Sequence, residues 1–323
     1  MRQQASMGLG LRRSTLLVGL LLFLGACTGE PKTPEDGGTP EASGGDRSPG
    51  DPVAPLAIGA IPDQDPDKVQ RLSDLLVSYL GTELEVPVVY QPVTDYAAAV
   101  SAFKVGDLDL VWFGGLTGVQ ARLQVPGAQA IAQRDIDEQF KSVFIANSRS
   151  GIEPFTEPSG LMALKDHSFT FGSESSTSGR LMPQYFLQQA GLTLADFQGE
   201  VGFSGNHDAT LKLVEAGTYE VGALNSQVWE SRLAEGAVDT TKVEVVWWTP
   251  PYYDYHWVIS PAVAERYGPG FNQRVEDALI GLDATVPEEQ EILDLFGATR
   301  FIPTRNENYD QIEAVGRDIG KIE

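Results

Sequence analysis

The chain has 323 residues and a formal net charge of −22, because 45 acidic residues outnumber 23 lysines and arginines. So acidic a chain is poorly suited to bind nucleic acid or an anionic membrane through a basic surface. It contains one cysteine, which excludes an internal disulfide. From residue 55 onward it is long enough for one large domain or for two lobes.

The first 26 residues are organised like a secretory signal peptide. Three arginines precede an apolar run over 15–24 that is too short to span a bilayer. The run ends in Leu24-Gly25-Ala26-Cys27, which resembles the lipobox of bacterial lipoproteins. This resemblance implies that Cys27 is lipidated and begins the mature chain, whereas an ordinary signal peptide with an incidental cysteine is the alternative. Cleavage there removes three arginines and no acidic residue, so the net charge would change from −22 to −25.

Residues 27–54 are predicted to form a disordered tether. The stretch 28–52 is rich in Pro, Gly, Glu, Asp, Ser and Thr and contains no aromatic or large aliphatic residue. Such a segment cannot bury enough apolar surface to offset the entropy of ordering it. As a flexible coil of about 25 residues it would span roughly 25–30 Å, enough to hold a folded body away from a membrane.

Strand and helix patterns alternate along the next part of the chain. Thr94 is expected to cap one of the helices, and Gly81 to end the helix before it. Alternation of this kind predicts an α/β fold with a largely parallel sheet, in which ligands bind beyond the carboxyl ends of the strands. The predicted strands are 56–61, 85–91, 108–113, 128–133 and 141–146, and the predicted helices are 67–80, 94–103 and 116–123.

A second alternating series begins at residue 169, and a strand at 243–248 is placed to cross back. Two series with a return crossing predict two lobes around a cleft. We assign 55–146 and 249–323 to lobe 1 and 147–248 to lobe 2. The remaining predicted elements are strands at 169–172, 200–203 and 220–224, and helices that follow residue 180 or cover 208–216, 226–233, 271–282, 287–295 and 309–319.

A turn rich in hydroxyl groups separates the strand at 169–172 from the helix after it. The sequence over 172–179 is Gly-Ser-Glu-Ser-Ser-Thr-Ser-Gly. The first N–H groups of a helix have no partner within it and lie at the positive end of its dipole, so they can be capped by Ser or Thr or can bind an anion. One hydroxyl is enough for a cap. The surplus favours an oxyanion-binding turn over a helix that is merely well capped.

Four short motifs then resemble one family. Thr94-Asp95-Tyr96-Ala97, Val111-Trp112-Phe113-Gly114, Ser176-Thr177-Ser178-Gly179 and Gly205-Asn206-His207-Asp208 occur in the order and spacing of phosphonate- and phosphite-binding proteins of ABC transporters. The similarity covers about 56–257, and the stretches 172–183 and 248–257 look most like a branch assigned to selenate transport. The resemblance implies a two-lobed type II periplasmic-binding-protein fold that captures a ligand by lobe closure. It also implies a permease and its ATPase as partners, no cofactor and no metal.

The resemblance further implies a set of ligand-binding residues. Hydroxyls and backbone N–H groups at 176–178 would hold oxyanion oxygens, Tyr96 would donate its phenol, and His207 would donate as imidazole or as charged imidazolium. Phe113 stands where relatives often have Tyr, so that phenol contact is absent. The full predicted set is Tyr96, Phe113, Ser176, Thr177, Ser178, His207, Asn225, Tyr253 and Asp254.

Two of these positions bear on which anion is bound. Relatives that bind aminophosphonates use acidic residues where this chain has Asn225, and an amide can donate to an oxygen whereas a carboxylate only accepts. Asp254 is the remaining candidate acceptor. If it faces the cleft, it can accept from a P–OH group and would repel sulfate or selenate. If it points away, tetrahedral dianions without a proton remain possible ligands.

Several of the same side chains have ordinary structural interpretations. Tyr96 could pack on the sheet, His207 could lie at the surface, and His256 could be a core histidine. The aromatic residues over 247–257 could form a ligand wall or pack at the hinge, with Tyr252 or Tyr253 expected to reach the cleft.

The sequence thus predicts a lipid-anchored, monomeric binding protein of an ABC importer in the cell envelope, either on the outer face of the cytoplasmic membrane or in the periplasm. Its ligand would be a small oxyanion such as phosphonate, phosphite, phosphate or selenate. A binding protein for a sulfonate or another small organic anion, or a ligand-sensing lipoprotein, is the alternative. An enzyme built on Ser176 and His207 is disfavoured, because no Gly-x-Ser-x-Gly, Walker A or His-Glu-x-x-His motif is present.

Overall fold

The computed structural model describes residues 54–323. The predictions of a signal peptide, of lipidation at Cys27 and of a disordered tether therefore lie outside the described residues, apart from the last residue of the tether. Within 54–323, none of the helices combines the length and the apolar character that crossing a bilayer requires.

The elements follow one another in an α/β order. The strands are β1 (Leu56–Ala60), β2 (Val88–Tyr90), β3 (Leu110–Phe113), β4 (Gln129–Arg134), β5 (Ser142–Asn147), β6 (Phe169–Phe171), β7 (Gly202–Phe203), β8 (Val221–Asn225), β9 (Val243–Trp248), β10 (His256–Ile259) and β11 (Phe301–Pro303). The helices are α1 (Pro66–Leu84), α2 (Tyr96–Val105), α3 (Gly115–Gln124), α4 (Met182–Gln189), α5 (His207–Glu215), α6 (Ser226–Ala234), α7 (Pro261–Tyr267), α8 (Phe271–Ile280), α9 (Pro287–Phe296) and α10 (Asp310–Asp318).

The strands form two sheets, each with antiparallel members. The first has the order β11-β4-β10-β3-β1-β2, and the second has the order β7-β6-β8-β5-β9. In the first sheet β10 runs antiparallel to β3 and β4, and in the second β5 runs antiparallel to β8 and β9. Both strands begin where the chain arrives from the other sheet, so they enter from the opposite edge. The prediction of largely parallel sheets is wrong at these two places for that reason, and it is also wrong at β11, which runs antiparallel to β4.

The two sheets define lobe 1 and lobe 2, and their boundary differs from the predicted one. β5 lies wholly in the second sheet, where Val143 pairs with Trp248 of β9. The chain therefore leaves lobe 1 near residue 141, not at residue 146. The two crossing segments run side by side, because Phe140 and Tyr252 exchange backbone hydrogen bonds of 2.9–3.0 Å. The sequence of a short apolar strand is compatible with a position in either sheet, so its local pattern does not predict which strands it pairs with.

Two helix ends also differ from prediction. α1 continues through Gly81 to Leu84, because Leu80 and Leu84 are buried and their packing offsets the cost of about 1 kcal/mol for glycine in a helix. Asp95, not Thr94, caps α2 by accepting a hydrogen bond of 2.8 Å from the N–H of Ala98. The sequence pattern does not predict β10, β11 or α7.

Large aromatic residues fill the core of lobe 1. Trp112 lies at the centre of this group and contacts Tyr255, Trp257, Phe296 and Phe301 at centroid distances of 5.1–5.8 Å. In lobe 2, separate clusters of buried residues cover the second sheet, one around Phe169 and Trp247 and another around Val143 and Trp229. Each lobe thus has its own core, and Leu181 and Met182 of lobe 2 also pack against the core of lobe 1.

Candidate oxyanion-binding site between the lobes

The hydroxyl-rich turn caps a helix and also faces lobe 1. Ser176 Oγ accepts a hydrogen bond of 2.9 Å from the N–H of Gly179, which is an ordinary N-cap contact. The chain then makes one π-helical turn, Thr177–Leu181, and continues into α4. Ser176 therefore has the structural role, whereas Thr177 and Ser178 project hydroxyls that the cap does not use.

Thr177 and Asp254 satisfy the N-terminus of α3. The N–H of Gly115 donates to Asp254 Oδ1 at 2.9 Å, and the N–H of Leu116 donates to Thr177 Oγ1 at 2.9 Å. Gly114 provides no side-chain cap. A Cβ atom on Gly114 would lie 3.2 Å from Thr177 Oγ1 and 3.4 Å from Asp254 Oδ1, so a larger residue would press on the Thr177 contact. A helix end of lobe 1 is thus capped partly by lobe 2.

Three polar atoms near this contact are buried and have no partner in the protein. They are Tyr96 Oη, Ser178 Oγ and Asp254 Oδ2. Leaving such a group without a hydrogen bond costs about 1–3 kcal/mol, so buried polar atoms are normally paired. Two donors and one acceptor from three separate segments, drawn from both lobes, are the groups that a small polar ligand would pair.

Their mutual effects show that these side chains are neighbours. Burial raises the pKa of Tyr96 well above its ordinary value, and the carboxylates of Asp63 and Asp254 add to the effect. Burial and Asp254 likewise raise the pKa of Tyr252, while Ser142 and Ser178 oppose the rise. Tyr252 Oη lies 2.7 Å from Ser142 Oγ. The phenols of both tyrosines therefore lie near Asp254.

Asp254 is poised between its two charge states. Burial raises the pKa of its carboxyl group to about 7, and the nearby carboxylate of Asp137 acts in the same direction. The N–H of Gly115, the hydroxyl of Thr177 and the charge of Arg134 oppose this rise. Near neutral pH the carboxyl group can therefore either donate a hydrogen bond to an oxyanion or accept one from it.

His207 is an uncharged side chain at neutral pH. Its Nδ1 accepts a hydrogen bond of 3.3 Å from the N–H of Asn225, which places the proton of the neutral ring on Nε2. Burial lowers the pKa of His207 to about 4, although Asp208 opposes the shift. The sequence analysis considered a charged imidazolium at His207, but in the ligand-free protein the ring is neutral at pH 7.

Both the oxygen and the nitrogen of the Asn225 side-chain amide have hydrogen-bond partners within the protein. Its Oδ1 caps α6 by accepting from the N–H of Val228 at 2.6 Å, and its Nδ2 donates to Tyr255 Oη at 3.1 Å. His207 Nε2 lies 3.4 Å from the same hydroxyl. The side chains of His207 and Asn225 thus meet at Tyr255.

Phe113 and Tyr253 do not join the polar group. Phe113 is fully buried in the core of lobe 1, where its ring meets the edge of Phe103 at 5.9 Å. Tyr253 packs against Tyr309 on the other side of its segment. Tyr252, the other tyrosine considered from the sequence, lies beside Ser178 and Asp254 instead. In an extended segment alternate side chains face the same side, which accounts for Tyr252 and Asp254 pointing together.

Tyr255, Asp63 and Ser142 are polar residues of this region that sequence reasoning missed. Tyr255 reads as part of an aromatic run, Ser142 as the start of an apolar strand, and Asp63 as a turn residue. Asp63 was detectable in principle, since it follows β1 at the carboxyl edge of the sheet, where polar side chains of this fold class gather.

Comparison with known proteins identifies the family. Residues 58–309 match the family model of the periplasmic substrate-binding proteins of phosphonate ABC transporters. The chain therefore belongs to that family, whose members are substrate-binding transport proteins rather than enzymes. The predicted family and the predicted two-lobed α/β fold are confirmed.

Individual relatives agree with this assignment. A probable phosphite-binding protein, PhnD1 of Prochlorococcus marinus, is 48% identical over 268 residues, which cover 83% of this chain and 90% of the relative. Its solved structure in complex with methylphosphonate superposes with a TM-score of 0.81 and covers 83% of this chain and 98% of that one. A binding protein of a phosphonate transporter from Pseudomonas aeruginosa shares the fold at 17% identity, with a TM-score of 0.70 and coverage of 80% and 84%.

The raised pKa of Asp254 predicts how stability depends on pH. The folded protein keeps this proton up to about pH 7, whereas the ordinary value is 3.8, so the folded state binds more protons in that window and loses stability as the pH rises through it. Asp254→Asn resembles the neutral acid and should abolish this loss, which amounts to at most roughly 4 kcal/mol.

Urea unfolding of residues 54–323 between pH 4 and pH 8 measures the effect. Substitution of the exposed Asp318 by Asn is the matched control and should leave the pH profile unchanged. Parallel profiles for the wild type and Asp254→Asn would show that Asp254 titrates normally.

Proposed function

We propose that this chain captures a small phosphorus oxyanion, such as phosphite, methylphosphonate or phosphate, for an ABC importer. The observation that carries the proposal is the set of buried, unpartnered atoms Tyr96 Oη, Ser178 Oγ and Asp254 Oδ2. Two neutral donors would pair with anionic oxygens, and the carboxyl group would share one proton with the ligand. The methylphosphonate complex of the Prochlorococcus protein, which is 48% identical, supports this ligand class.

The charge state of Asp254 separates this class from sulfate and selenate. An oxyanion that carries a P–OH group can donate it to the ionised carboxylate. Sulfate and selenate carry no proton at neutral pH, so they would need the protonated acid. A charged Asp254 and a fully charged anion would repel each other at short range in a buried site.

Capture by lobe closure is the mechanism that we propose. Thr177 of lobe 2 accepts from the N–H of Leu116 of lobe 1, and the N–H of His207 donates to the carbonyl oxygen of Asp63 at 3.1 Å. Contacts of this kind form only when the lobes meet, so a ligand that joins the same groups would shift the population toward the closed form. The closed monomer would then be presented to the permease and its ATPase.

Removal of the unpartnered hydroxyls tests the site. Ser178→Ala and Tyr96→Phe delete hydroxyl oxygens that have no partner at hydrogen-bond distance, although Ser178 faces Tyr252 and Tyr96 faces Ser176, so they should destabilise the ligand-free fold only slightly. Each should raise the Kd for phosphite and methylphosphonate roughly ten- to hundredfold, because a hydrogen bond to a charged group contributes about 1.5–3 kcal/mol. Ser176→Ala is the contrasting variant, since it loses the contact with Gly179 and should lower the melting temperature.

The binding assay is calorimetry of residues 54–323 with phosphite, methylphosphonate, phosphate, 2-aminoethylphosphonate, sulfate, selenate and taurine. The proposal expects the first three to bind. Any binding of sulfate or selenate should weaken about tenfold for each pH unit above about 7, as the proton leaves Asp254. A response to taurine alone would replace this proposal with a sulfonate receptor, and unchanged affinities in both variants would place the ligand elsewhere.

We also propose that the protein is anchored in the cell envelope through lipid on Cys27. The motif Leu24-Gly25-Ala26-Cys27 and the acidic, proline-rich stretch after it support the anchor. An acyl anchor would hold the body near the permease, and the tether would leave it free to reorient.

The anchor is tested with the full chain in its host. Cys27→Ala should move the protein from the membrane fraction to the soluble fraction without changing its affinity for phosphite, because the proposed site lies within 54–323. Mass spectrometry of the mature N-terminus of the wild-type protein should find an acylated Cys27. An unmodified N-terminus at another residue would contradict the anchor.

A further inference from the structure

Tyr255 has a ring that is held rigidly by lobe 1. The ring stacks on Trp112 at 5.7 Å with an interplanar angle of 17°, and the edge-on Phe140 contacts it at 5.5 Å. The guanidinium carbon of Arg134 lies 4.7 Å from the ring centroid. Arg134 is itself fixed by a buried ion pair with Asp137, at 2.7 Å. The position of the Tyr255 hydroxyl is therefore determined by lobe 1 alone.

That hydroxyl meets two side chains of lobe 2. Asn225 Nδ2 donates to it at 3.1 Å, and His207 Nε2, which carries the ring proton, lies 3.4 Å away. Both groups are oriented before they reach Tyr255. The side-chain oxygen of Asn225 accepts from the N–H of Val228. The backbone N–H of Asn225 donates to Nδ1 of His207 and so fixes the orientation of that ring. Two preoriented donors thus converge on one oxygen.

The Tyr255 hydroxyl also faces the buried carboxyl group of Asp63 on lobe 1. Burial raises the pKa of the Asp63 carboxyl group, and a hydrogen bond from the Tyr255 hydroxyl opposes that rise. The backbone carbonyl oxygen of Asp63 accepts a hydrogen bond of 3.1 Å from the backbone N–H of His207. Asp63 and Tyr255 of lobe 1 therefore hold His207 and Asn225 of lobe 2 through contacts that involve no ligand atom.

We propose that the Tyr255 hydroxyl, with Asp63, is a direct closure contact between the lobes that limits how fast the ligand leaves. The proposal rests on the function proposed above, since it assumes that the closed form holds the ligand. It gives His207 and Asn225 a role in closure, in addition to any contact that the imidazole of His207 makes with the anion. In this arrangement Tyr96, Ser178 and Asp254 determine which anion binds, and Tyr255 determines how long it stays.

Tyr255→Phe separates the two roles, because phenylalanine keeps the stacking on Trp112 and loses only the hydroxyl. In stopped-flow measurements with phosphite and methylphosphonate, we expect the dissociation rate to rise about tenfold, as for the loss of a buried hydrogen bond. The association rate should change less than about twofold, and the order of preference among anions should stay the same.

Two further variants make the test specific. Asn225→Ser keeps an oxygen that can cap α6 but is too short to reach Tyr255, so it should give a similar rise in the dissociation rate. The double variant should add little to either single change, because both remove the same contact. Tyr309→Phe is the matched control, since it removes a buried phenol that binds Gln133 within lobe 1 and should leave the dissociation rate unchanged.

The outcomes distinguish this proposal from the proposed function. An unchanged dissociation rate in Tyr255→Phe would reject the closure contact and leave the oxyanion site intact. A changed anion preference would show that Tyr255 touches the ligand and would also reject it. If no anion of the panel binds the wild-type protein, small-angle scattering of the ligand-free forms decides. A larger radius of gyration for Tyr255→Phe than for the wild type supports the contact, and equal radii reject it.

Discussion

No side chain of the preceding residue caps the N-terminus of α3. The groups that satisfy its free N–H groups instead form much of the polar region between the lobes. Gly114 leaves two N–H groups to be satisfied from outside the helix, one by Asp254 and one by Thr177. Asp254 comes from lobe 1 and Thr177 from lobe 2, so a single helix end needs both lobes. The same requirement brings the hydroxyl-rich turn next to the one acceptor of the candidate site.

The electrostatics of the site are short-ranged. The chain is strongly acidic, and the nearest buried cation, Arg134, is already paired with Asp137. Arg180 lies over the ring of Phe171, with its guanidinium carbon 4.2 Å from the centroid. An anion would therefore be held by hydroxyl groups, by a neutral imidazole or by a protonated carboxyl group. Exposed acidic charges beyond about 8 Å are screened at physiological salt and do not prevent this.

In the arrangement that we propose, recognition and closure draw largely on different residues of the same region. The unpartnered atoms of Tyr96, Ser178 and Asp254 are available to a ligand, whereas His207 and Asn225 are engaged with Tyr255. The amide nitrogen of Asn225 donates to a phenol, which a carboxylate at this position could not do. An acidic residue here would therefore lose this contact between the lobes.

Local pattern determined a large part of this description. The alternation of strands and helices and the hydroxyl-rich turn at 176–178 follow from residues that lie close together in sequence, and the family resemblance makes Tyr96 and Asp254 candidate ligand contacts. The tertiary structure alone decided the sheet that contains β5, the direction of β10, and the partners of His207 and Asn225. The reason is physical: Leu116 meets Thr177 across 61 residues and Asn225 meets Tyr255 across 30, and contacts over such separations leave no periodic trace in the chain.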